Sequence, residues 1–145
     1  MFAEYSEVKW FTESDISLGD DAELLEILAA SGCAQVLIGL ESVSKDALTE
    51  TDSKGWKARR MTGYGSQVGA IQEAGISVNG CFAFGFDGDD LGVFDRTADW
   101  IEDSGLSEVQ VTILTPFPGT ALFERLRRER RLVAEEFWDK CTLFD

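Results

Sequence analysis

One run of β-forming residues ending in a carboxylate constrains the fold more than any other stretch: Ala34-Gln-Val-Leu-Ile-Gly-Leu-Glu-Ser-Val-Ser44. Six mostly apolar residues lead into the polar pair Glu41-Ser42. A strand of this kind reads as fully buried in a parallel sheet, with its C-terminal end opening onto a site. Segments on both sides repeat the design of apolar run, polar tip and helix.

The chain in order supports this reading. Glu7 to Ser14 is an expected first strand with a polar end. Asp20 is a candidate N-cap, with Glu23 at capping-box spacing, for a helix whose apolar stripe is Leu24, Leu25, Ile27 and Leu28. Gly32 is placed to close it. After the strand Gln35 to Leu40, Ser44 to Glu50 reads as a short helix and Thr51 to Lys57 as a loop. A longer helix follows from about Arg60 to Ala74, despite Gly63, Gly65 and Gly69, each costing about 1 kcal/mol relative to alanine. Ile76 to Phe86 is the third strand, and Asp87-Gly88-Asp89-Asp90 a turn. Leu91 to Asp103 is the next helix, stopped by Gly105. Val109 to Leu114 is the fourth strand, and Thr120 caps a last helix through Leu122, Phe123 and Leu126.

Strands alternating with helices imply an α/β fold of parallel βαβ units with right-handed crossovers. Either a doubly wound sheet or part of a (β/α) barrel satisfies the spacing, and both place chemistry at the C-terminal strand ends. Those ends carry Glu13 and Ser14, Glu41 and Ser42, Asp87 to Asp90, and Thr115 to Thr120, a rim suited to a small molecule.

Composition narrows the partners. The 145 residues form one expected domain, 1–145, able to bury roughly 70% of the unfolded surface. Asp and Glu number 27 against 13 Lys and Arg, for a net charge of −14, so nucleic acid and anionic membrane are expected to be repelled. No stretch approaches the ~18 apolar residues of a membrane span, and the N-terminus lacks signal-peptide regions, which points to the cytoplasm. Histidine is absent, and Cys33, Cys81 and Cys141 are too scattered for a metal set. They read as reduced thiols.

Each polar tip has two readings. Glu41 either accepts hydrogen bonds from vicinal hydroxyls, as a ribose contact does, or caps the next helix. The Asp87 to Asp90 turn either holds a hard cation or, as favoured here, combines a turn with an N-cap. Gly80 and Gly85 mark a close backbone approach or a bulge. Pro116-Phe-Pro-Gly119 is a rigid turn. The arginines from Arg127 to Arg131 form a phosphate patch or, the favoured reading, a solvated helix end.

Three segments together, Ile38 to Ser44, Gly75 to Asp90 and Ile113 to Thr120, resemble the radical S-adenosylmethionine (SAM) family, in particular the branch that often carries a cobalamin-binding domain. The resemblance implies a partial TIM-type (β/α) barrel that binds SAM and a [4Fe-4S] cluster, with cobalamin possible, and that generates a 5′-deoxyadenosyl radical for oxidoreductase or methyl-transfer chemistry. By this likeness the four strands are the third to sixth of the barrel. Glu41 and Ser42 fall at the ribose position, and Glu13 on a neighbouring tip facing the same cofactor. Gly80 and Gly85 lie in the segment beside the adenine, with Leu114 and Thr115 near that ring.

The family's CxxxCxxC loop has no counterpart in the sequence, so cluster assembly as in the family is not expected of these residues alone. The chain therefore reads as the C-terminal part of such a barrel, expected to be inactive alone. Its partner is then the N-terminal half of the barrel, and its exposed sheet edges or apolar face invite self-association. The competing reading is a non-catalytic acidic interaction module derived from the same barrel.

Overall fold

The computed structural model describes residues 7–51 and 54–132. Cys141 and the tail after Leu132 lie outside the described residues. Four strands, β1 (Trp10–Ser14), β2 (Cys33–Glu41), β3 (Ser77–Phe84) and β4 (Glu108–Ile113), form one sheet in the order β1-β2-β3-β4. Every neighbouring pair is parallel. The α/β architecture of four parallel strands alternating with helices is therefore the one the sequence predicts.

The helices are α1 (Ala22–Ala30), α2 (Lys45–Thr51), α3 (Trp56–Arg60), α4 (Tyr64–Glu73), α5 (Val93–Ser104) and α6 (Ala121–Arg128). A 3-10 helix at Ile16–Asp20 precedes α1. Asp21, not Asp20, caps α1, accepting from Leu24 N at 2.9 Å. Asp20 is turned away, engaged by Arg60 and by Gln67 Nε2. The helix expected from Arg60 to Ala74 is broken into α3, a 3-10 turn at Met61–Gly63 and α4. Two of its expected internal glycines stay within α4, where an added Cβ at Gly65 or Gly69 would meet open space. Part of the expected 51–57 loop is helical, since α3 begins at Trp56.

Strand parity sets the two faces of the sheet. Val36, Ile38 and Leu40 of β2 and Val78 and Phe82 of β3 pack with Leu25, Tyr64, Val68 and Ile71 of the helices in one core. Each such side chain, fully buried, contributes roughly 1.5–3 kcal/mol. The Trp100 ring meets Tyr64 and Phe82 edge-on, at centroid distances of 6.4 and 5.9 Å. The opposite parity, Gln35, Leu37, Gly39 and Glu41 with Asn79 and Cys81, is only half-buried. So β2 is buried on its helix side alone, and the expectation of a strand buried on both faces is corrected: the second face is open.

Gly80 belongs to the helix side. A Cβ there would sit 2.7 Å from Leu106 Cδ1 and 3.2 Å from Leu40 Cδ1, so the glycine lets Leu106 close over the strand. The β4 residues that share this side, Val109, Val111 and Ile113, are 38%, 50% and 62% exposed, leaving that end of the sheet thinly covered.

Candidate functional site

The open face carries Glu13 and Glu41 at the C-terminal ends of β1 and β2, with Asn79 and Cys81 in the first and middle parts of β3. Parallel register places Glu13 beside Leu37 and Leu37 beside Asn79, while Gly39 lies beside Cys81. The ladder shifts between Gly39 and Glu41, and Glu41 takes a left-handed backbone with φ of +67°. That conformation costs a residue with a Cβ about 1–2 kcal/mol. Here it folds the carboxylate back over the strand. A Cβ at Gly39 would lie 2.7 Å from Glu41 Oε1, so the glycine leaves the space into which the carboxylate folds.

Lys57 of α3 reaches the same spot, donating to Glu41 Oε1 at 2.8 Å and to the Gly39 carbonyl at 3.0 Å. The pair is a quarter to a third exposed, so it positions more than it stabilises. A carboxylate offers about four lone-pair positions, and Glu41 keeps acceptor capacity for hydroxyl donors beyond Lys57. The Cys81 thiol lies near both acids. Burial first, and then the charges of Glu41 and Glu13, push its pKa up, so it stays a neutral thiol rather than a nucleophile. The Asn79 Oδ1 on this face is buried without a hydrogen-bond partner.

The other expected site residues also make contacts within the chain. Ser42 is buried, and its Oγ accepts from Ser44 N at 3.0 Å, so the hydroxyl shapes the turn after β2. Gly80 faces the helices, as described above. Gly85, with φ of +105°, makes the sharp exit from β3. Leu114 N extends the β3–β4 ladder by donating to Phe84 O at 2.8 Å, and Thr115 Oγ1 donates to Ile113 O at 3.0 Å. Glu13 and Glu41 are thus brought together, while Ser42, Gly80, Gly85, Leu114 and Thr115 support the rim. The sequence reading missed Gly39, Lys57, Asn79 and Cys81. Gly39 could have been found by counting two positions back from Glu41, and Asn79 and Cys81 as the strand neighbours of Gly80, which point to the opposite face from it. Lys57 lies in a stretch read as loop.

The acidic turn is wired internally. Asp89 Oδ2 accepts from Gly85 N and Phe86 N at 2.8 and 3.0 Å, and Asp90 pairs with Arg96. Asp87 binds Arg125 and Arg131, with Arg131 the larger cause holding its carboxyl below the usual range. The turn reading holds, but the N-cap reading does not, since the residue capping α5 is Gly92, with no side-chain cap. Nor is the arginine-rich end of α6 simply solvated: Arg131 is tied to Asp87, and Arg125 bridges Asp87 and Glu50. Beside these ion pairs, Phe86, Leu114, Ala121 and Leu122 line a cavity of about 370 Å³.

Among the described residues no three His, Cys, Asp or Glu side chains are grouped to hold a metal ion. Cys33 is buried in the helix-side core and Cys81 lies on the open face, so the two thiols cannot share a cluster. No described helix is long and apolar enough to cross a membrane.

Comparison with known proteins bears on this rim. The sequence relatives are methyltransferases. The chain is 32% identical over 137 residues to a bacteriochlorophyllide d C-12(1)-methyltransferase of Chlorobaculum tepidum, covering 94% of this chain and 29% of that protein. It is also 32% identical, over 124 residues, to an uncharacterized methyltransferase of Synechocystis, covering 86% of the chain and 23% of the relative. A bacteriochlorophyllide d C-8(2)-methyltransferase of Chlorobaculum tepidum is 28% identical over 86% of the chain and 27% of its own length. The chain thus spans under a third of the length of each. The fold matches part of the radical SAM methyltransferase TsrM from Kitasatospora setae, solved with cobalamin and a [4Fe-4S] cluster bound. The TM-score is 0.70 at 17% identity, over 88% of this chain and 26% of that one. No protein-family model matches the chain.

Proposed function

We propose that these residues form the SAM-ribose side of the catalytic barrel of a radical SAM methyltransferase, acting in the cytoplasm. The observation that carries the reading is the convergence of Glu13 and Glu41 on one open face, at the C-terminal ends of parallel strands, with Glu41 held in a strained backbone. Strain of this kind persists where the surroundings enforce it, and it clusters at binding sites. Methyltransferase relatives and the fold of TsrM support the same assignment.

In this role the Glu41 carboxylate accepts hydrogen bonds from the ribose hydroxyls, while Lys57 fixes its rotamer from the side. The two acids also create a negative field, favourable for a sulfonium cation. Cys81 remains protonated beside them and gives the cofactor a neutral wall. The described residues do not fit a [4Fe-4S] cluster, so the thiolates and the radical-generating step belong to the whole protein. Cobalamin likewise belongs to the reading of the whole protein, not to a site built from these side chains.

Titration with 5′-deoxyadenosine, followed by 1H–15N NMR, tests the placement without needing a cluster. Shifts should concentrate on Gly39 to Ser42, Asn79, Cys81 and the Glu13 tip. Shifts confined to the helix face, or none at millimolar ligand, would remove the proposal.

A further inference from the structure

We infer that the cavity beneath α6 receives a neutral, largely apolar part of the methyl acceptor. The purpose assigned to the ligand rests on the methyltransferase reading; the existence of the site rests only on the cavity itself. Its volume, about 370 Å³, falls within the range of small-molecule sites, which lie preferentially outside the C-terminal ends of parallel strands. Leu114, at the end of β4, and Phe86, just past β3, form one wall, and Ala121 and Leu122 of α6 the other. Ala47 and Ala83 pack behind Phe86 and keep that wall apolar.

The charges at the cavity edge decide the ligand class. Arg125 Nη1 lies 2.9 Å from both Glu50 Oε1 and Asp87 Oδ2, and Glu50 Oε2 accepts from the Asp87 amide at 3.0 Å. Arg131 supplies the second cation to Asp87. Arg131 also pairs with Glu129, so each arginine is already held between two carboxylates. An anionic ligand entering here would lose hydration and find both guanidinium groups already matched. A neutral apolar group loses nothing of that kind and gains the burial of its surface. The same ion pairs, with buried Phe123, hold α6 over the cavity and keep its width fixed.

The test uses the neutral fluorophore N-phenyl-1-naphthylamine, with an anionic naphthalene sulfonate as the charged counterpart. The neutral probe should bind saturably, and the anionic one more weakly. Ala121→Trp, at an exposed backbone position, should fill the space and weaken neutral-probe binding by roughly tenfold. Leu122→Gln, which removes an apolar wall, should weaken it several-fold, with far-UV circular dichroism verifying the fold of both variants. Ile113→Ser, on the exposed β4 patch, and Glu41→Ala should leave it unchanged. Absence of saturable binding overturns the inference, as does binding that survives Ala121→Trp or disappears in Ile113→Ser. Neutral-probe binding that persists where 5′-deoxyadenosine fails to bind would sink the cofactor reading and leave the cavity standing.

Discussion

Glu41 combines two features that strand residues normally avoid, a left-handed backbone and a carboxylate folded over its own strand. Glycine adopts that backbone freely, so Glu41→Gly and Glu41→Ala should separate backbone strain from carboxylate chemistry. Both lose the Lys57 pair, yet the glycine variant should be more stable than the alanine variant by about 1 kcal/mol, read from urea midpoints. Equal midpoints would mean the backbone relaxes in the variants. Cys81 offers a second probe of the same charges. Because Glu41 and Glu13 add to the effect of burial on the thiol, Glu41→Gln should lower its pKa and speed alkylation by iodoacetamide about two- to threefold at pH 8. Mass spectrometry of the Cys81 peptide gives the rate. The acids at Glu13 and Glu41 were legible as strand tips. The face of Gly80 was not, because a glycine carries no hydropathy signal, and only its parity with Val78 and Phe82 assigns it to the helix side.

At the scale of elements, the packing of the first 3-10 helix against α4 depends on a glycine. A Cβ on Gly19 would lie 2.5 Å from the Gln67 carbonyl oxygen and 2.7 Å from its Cα, both backbone atoms with little room to yield. Gly19→Ala should therefore destabilise by about 1–3 kcal/mol, measured by chemical denaturation. The adjacent Asp20 links this junction to pH. The Gln67 hydrogen bond, then Arg60, holds its carboxyl below the ordinary carboxylate value. Its contribution is present above the unfolded-state pKa and is lost as pH falls through the lower folded-state pKa. Stability should thus decline on acidification below about pH 4, and less steeply in Asp20→Asn. An identical acid limb in the variant would count against this. Adjacent Asp20 and Asp21 look alike to a capping rule. What distinguishes them is Arg60, 40 residues away in sequence, which no local pattern reveals. The strands themselves were legible because alternating burial left apolar residues at every helix-facing position of β2.

For the whole molecule, two properties follow from four parallel strands covered on one side. Within the described sheet, β1 and β4 each have one unpaired edge, and Phe11, Val111 and Ile113 are at least half exposed. Unpaired edges with apolar neighbours favour self-association, while a net charge of −14 opposes it. Sedimentation equilibrium should therefore show association that strengthens with added salt; a monomer at all salt concentrations would contradict that balance. The parallel topology was legible from alternating strand and helix signals, but the open face was not. An apolar strand reads the same whether one side or both are covered, and coverage depends on elements far along the chain. That open face, with Glu41 at its centre, is the core of the functional account. Isothermal calorimetry of 5′-deoxyadenosine binding to the unmodified protein and to Glu41→Ala tests it most directly. The account predicts weak but measurable binding that Glu41→Ala abolishes; equal affinity in the two proteins, or no heat in either, would contradict it.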